Sequence, residues 1–89
     1  MQPGERAAGW IQTIQGCSRR LAEISDETSV QMQQMTTALY NLKKVDDAPE
    51  IVRMAERLEE LRDLRNRMEL GSWQIQVDHI MQEAWRRLP

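Results

Sequence analysis

The sequence has no phenylalanine and one tyrosine, and its 89 residues include one cysteine, four glycines and three prolines. Without Phe, bulky packing falls to three tryptophans, six methionines and the aliphatic residues. A single thiol, Cys17, excludes an intramolecular disulfide. It reads as small apolar filler, because only Arg19 and Arg20 hint at the electropositive setting a reactive thiol needs. So little Gly and Pro excludes a collagen-like or low-complexity chain. No apolar run approaches the ~18 residues needed to span a bilayer, and residues 1–6 lack the apolar stretch of a secretory signal. Export, if it occurs, is expected by a route that reads no cleavable signal peptide. A formal net charge of -2 argues against a strongly basic nucleic-acid binder.

What is present is helical periodicity. Trp10, Ile14, Cys17, Leu21 and Ile24 recur at steps of three and four, and the seam continues through Thr28, Met32, Met35, Leu39 and Leu42. Gly16 weakens the first helix by about 1 kcal/mol relative to Ala. Ser25-Asp26-Glu27-Thr28-Ser29 reads either as a new helix start, with Ser25 as N-cap, or as a polar turn of one continuous helix; continuity or a kink is favoured. From residue 28 to 42 there is no charged side chain, which suits a surface that packs in an assembly.

The clearest stop-and-start lies at Val45-Asp46-Asp47-Ala48-Pro49-Glu50. Lys43 and Lys44 favour a helix C-terminus; Asp47 suits an N-cap, Pro49 a first helical turn, and Glu50 has capping-box spacing from Asp47. A second seam follows: Ile51, Met54, Leu58, Leu61, Leu64 and Met68, with mixed charges on the opposite face, Arg65 among them. Gly71 could end this helix or kink it, with Ser72 restarting it. A wider apolar face then runs through Trp73, Val77, Ile80, Met81, Ala84, Trp85 and Leu88.

The expected fold is therefore all-α: a single-domain two-helix antiparallel hairpin with an irregular N-terminal arm, and with kinks allowed at Ser25 to Ser29 and at Gly71. The arm covers residues 1–9, the first helix 10–44, the turn 45–49 (Asp46, Asp47, Ala48, Pro49) and the second helix 50–88. The expected subunit or partner interface comprises Met32, Met35, Leu39, Leu42, Leu58, Leu61, Trp73, Val77, Ile80, Met81, Trp85 and Leu88. No catalytic, metal or cofactor residue is expected. His79 is the only histidine; with Asp78 and Glu83 nearby it falls short of the three or four ligands zinc requires, and reads as a surface side chain. The carboxylates between residues 50 and 69 lie on a polar face with no pocket implied.

One resemblance joins these features. Ala38-Leu39-Tyr40-Asn41-Leu42-Lys43 leads into the Asp/Pro turn; Leu58-Glu59-Glu60-Leu61 and Arg65-Asn66 follow; Asp78-His79-Ile80-Met81-Gln82 runs to an apolar end at Leu88-Pro89. Over residues 32–89 this order resembles the needle subunits of bacterial type III secretion systems. The sequence departs from that pattern in the Ala48 between Asp47 and Pro49, in Arg65 where an aromatic is usual, and in Trp85-Arg86-Arg87. The resemblance implies a helical homopolymer whose C-terminal helices line a lumen for exported effectors, in contact with other secretion-apparatus proteins. It also implies a location outside the cell or at its surface. An inner-rod subunit, or a small cytoplasmic adaptor or chaperone of such an apparatus that binds its partner through a coiled-coil seam, is the alternative.

Overall fold

The computed structural model describes residues 5–23, 26–45 and 49–88. Among these it has four α-helices and no strand: α1 (Glu5–Leu21), α2 (Thr28–Leu42), α3 (Pro49–Leu64) and α4 (Leu70–Arg86), with a 3₁₀ turn (Arg65–Arg67) between the last two. The all-helical expectation holds, but the two-helix hairpin is replaced by a bundle. Each helix packs on the next in sequence, and α1 also meets α4, which closes the circuit. Short connections force antiparallel neighbours, so the chain runs up, down, up, down. An unbroken helix over residues 50–88 would be about 58 Å long; the longest dimension of the molecule is 37 Å.

Both long arms are interrupted. α1 ends at Leu21 and α2 starts at Thr28, with Asp26 and Glu27 in the turn before it, so the separate start prevails over continuity. The N-terminal arm is shorter than expected, because α1 already begins at Glu5. Ala7 explains this: it is fully buried and extends the core stripe as Ala7, Ile11, Ile14, Cys17 and Leu21. Ile11 therefore occupies the core position in place of the half-buried Trp10. Pro49 opens α3, where its missing N–H costs nothing. Asp46, Asp47 and Ala48 of the expected turn lie outside the described residues, as do Ile24 and Ser25 of the first arm.

The corner between α3 and α4 sits upstream of Gly71. In the sequence the apolar spacing continues through this corner; in the structure side-chain hydrogen bonds hold it. Arg65 is buried, and its Nε donates to the Leu21 carbonyl at 2.8 Å, while Nη1 donates to Asn66 Oδ1 at 3.2 Å. Leu21 is the last residue of α1, where carbonyls have no partner within the helix. Trp73, fully buried, donates from Nε1 to the Leu61 carbonyl at 2.6 Å in the last turn of α3. Arg65 thus caps the end of α1, and Trp73 ties α4 to the last turn of α3. Among the described residues, no buried side-chain nitrogen or oxygen lacks a partner.

Met68 and Glu69 are extended (ψ 155° and 132°), and Glu69 serves as the N-cap of α4, accepting from Gly71 N at 2.8 Å and Ser72 N at 3.0 Å. Ser72, expected to restart the helix, instead donates from Oγ to the same carboxylate. Gly71 lies within the first turn of α4, and a Cβ there would meet Glu69 Oε1 at 2.9 Å. Hydrogen bonds from Gly71 N, then from Ser72, hold the Glu69 carboxyl below its ordinary value.

Candidate partner-binding groove

Once the bundle closes, most of the residues expected at an interface are inside it. Met35, Leu39, Leu42, Leu58, Leu61, Trp73, Val77 and Met81 are buried in the chain's own core. Met32, Ile80, Trp85 and Leu88 are half-buried against that core. The seam that would face another subunit in an open hairpin is satisfied within one chain here.

What remains outside is a groove along the α3–α4 seam. Antiparallel packing sets its register: Glu50 at the start of α3 meets Arg87 just beyond α4, and Arg57 lies level with Ile75 and His79. The end bounded by Glu50 and Arg87 encloses about 330 Å³. Met54 and Ile80, both half-buried, form its apolar floor. Arg53 and Arg57 stand on the α3 wall, His79 and Glu83 on the α4 wall. Past Arg57 the groove continues to Ile75, which is 71% exposed. Of the expected interface residues only Ile80 lines this site. Met54 was assigned to the core seam, and Ile75 was not singled out although it is a large apolar residue off the Trp73–Val77 stripe.

The electrostatics of the groove are uneven. Arg87 bridges Glu50 at 2.7 Å and Glu83 at 3.0 Å, and Arg86 also bonds Glu83. Both groove carboxylates are therefore engaged by Arg87. The Arg87 hydrogen bond is the main reason the Glu83 carboxyl sits below its ordinary value, and Glu50 raises Arg87 further. Arg57 pairs with Glu60, outside the groove, at 2.8 Å. Arg53 makes no ion pair among the described residues. Thus a chain of net charge -2 carries a cationic excess at this apolar groove. His79 is exposed, and among the described residues no cluster of three potential metal ligands forms.

These carboxylates set an acid response. Glu69 and Glu83 are both depressed on folding, so their contributions are complete above the unfolded carboxylate pKa, about 4.5, and are lost as pH falls through the lower folded values. Glu69→Gln is expected to lower the melting temperature at neutral pH and to flatten its decline between pH 5 and 3 relative to the parent, about the window where a carboxylate titrates. Thermal melts by circular dichroism across that range read both effects; parallel pH profiles would contradict the assignment.

The opposite side of the molecule has a second depression, of about 420 Å³, between α1 and α2, lined by Trp10, Thr13, Val30, Gln33, Gln34, Thr37 and Ala38, none of them charged. Cys17 is buried beside it. Its thiol approaches Gln34 Oε1 at 3.9 Å, and burial raises its pKa above the ordinary value. This is the inert filler role. No helix among the described residues is long and apolar enough to cross a membrane. No family model matches the chain, and neither a curated protein nor a solved structure matches it.

Proposed function

We propose that this chain is a non-catalytic helical adaptor that seats an acidic, amphipathic helix of a partner protein in the α3–α4 groove. The observation that carries this reading is the apolar floor of Met54 and Ile80, continued by exposed Ile75, beneath a wall where Arg53 has no ion-pair partner among the described residues. Helix-in-groove recognition needs such a strip of apolar anchors with charges beside it. Methionine at the floor adapts its shape to different anchors. The resemblance to type III secretion needle subunits suggests the setting: an adaptor or chaperone of an export apparatus, working in the cytoplasm.

The bundle favours this role over that of a needle subunit. Trp73, Val77 and Met81 would have to leave the chain's own core before α4 could pack in a filament or line a lumen. The homopolymer reading therefore requires a chain that opens both between α1 and α2 and at residues 65–69.

The test uses a synthetic amphipathic helix with Leu on one face and Glu flanking it, titrated calorimetrically. Arg53→Glu with Arg57→Glu is expected to weaken binding by roughly tenfold or more, because the charge complement is reversed. Ile75→Ser should weaken it without changing its salt dependence. Equal affinity of the parent for a Leu/Lys helix, or no loss in these variants, would overturn the proposal. Filaments from the purified parent would favour the needle reading instead.

A further inference from the structure

The outermost ridge of α2 carries a pattern that the groove across the molecule does not use. α2 buries Gln31, Met35, Ala38, Leu39 and Leu42. On its opposite side stand Val30, Gln33, Thr37 and Tyr40, all exposed, with Val30 at 52% and Tyr40 at 57%. Asp26 lies in the turn before the helix and Lys44 in the turn after it, both exposed. The positions 26, 30, 33, 37, 40 and 44 step by four, three, four, three and four, the same read from either end. Docked antiparallel on a copy of itself about a two-fold axis level with Met35, this ridge pairs 26 with 44, 30 with 40 and 33 with 37.

We infer that a second copy of this chain docks here, α2 antiparallel to α2. In that register Val30 packs on Tyr40 of the other copy, Gln33 faces Thr37, and Asp26 meets Lys44, each contact occurring twice. Val30 borders the uncharged depression that includes Trp10, so the incoming Tyr40 ring has an apolar seat beside it. Lys44 already lies along the ridge, with Nζ 4.1 Å from the centre of its own Tyr40 ring. The antiparallel pairing also sets the positive dipole end of each α2 against the negative end of the other. No charge stands between residues 28 and 42 to oppose two copies meeting. This face is separate from the α3–α4 groove, so the inference stands or falls independently of the partner proposed there.

Sedimentation equilibrium of the full chain tests it through charge reversal at the two ends. The parent is expected to show a monomer–dimer equilibrium. Asp26→Lys sets Lys against Lys44 twice, Lys44→Asp sets Asp against Asp26 twice, and each is expected to weaken self-association by roughly tenfold. An equimolar mixture of the two variants regains both attractive pairs and is expected to associate as tightly as the parent, as a heterodimer. Helical circular dichroism matching the parent confirms that these surface changes leave the fold intact. A parent that stays monomeric at its solubility limit, single variants that dimerise as well as the parent, or a mixture no tighter than its components would each overturn the inference.

Discussion

Trp73→Ala is expected to remove a large fraction of the chain's stability. Trp73 is fully buried at the α3–α4 corner, and truncating a core Trp costs about 3–5 kcal/mol. The same change removes the indole donor 2.6 Å from the Leu61 carbonyl; a lost hydrogen bond costs about 0.5–1.5 kcal/mol more. A domain of this size is stable by only about 5–13 kcal/mol, so the combined loss is a large fraction of it. Trp73→Phe separates the two effects: it keeps most of the apolar volume but not the donor, and should cost about 1–3 kcal/mol. Urea unfolding followed by circular dichroism gives both values. A Phe variant as stable as the parent would show that the indole hydrogen bond contributes nothing.

Arg65→Ala is the second large expected effect, about 2–4 kcal/mol. Arg65 is 7% exposed, and its guanidinium ties the end of α1 to the turn after α3, across 44 residues of sequence. Its removal orphans the Leu21 carbonyl and unpacks the alkyl stem together. Lysine should not rescue it, because a single ammonium cannot serve both Leu21 O and Asn66 Oδ1 in the fixed fork geometry of arginine. Chemical denaturation of the Ala and Lys variants checks this, and a Lys variant equal to the parent would contradict the fork assignment.

These two residues also mark where reading the sequence fell short. Helical character was legible, because three- and four-residue spacing persists along almost the whole chain. The break before Pro49 was legible because Lys43, Lys44 and Pro49 mark a helix end and a helix start locally. The corner at 65–69 was not, because its signals are non-local. Leu61, Leu64 and Met68 keep a helical spacing straight through it, yet Leu64 is 40% exposed while Arg65, assigned to the charged face, is buried. A 3₁₀ turn advances by about 120° per residue, not 100°, so positions from Arg65 onward leave the face that α-helical spacing assigns them. The groove was partly legible: Ile80 was named, whereas Met54 and Ile75 acquire their place only when α3 and α4 are set side by side.

The central claim is that the chain folds back at residues 65–69 instead of extending as one arm. Spin labels on Glu56 and Gln82, both exposed, in a Cys17→Ala background measure this directly by pulsed electron paramagnetic resonance. Neighbouring antiparallel helices hold their axes about 8–10 Å apart, so the labels should lie within about 25 Å of each other. An unbroken second arm would place these positions about 39 Å apart at 1.5 Å per residue. A single short distance is the result the bundle predicts, and a distribution centred on the long one would contradict it.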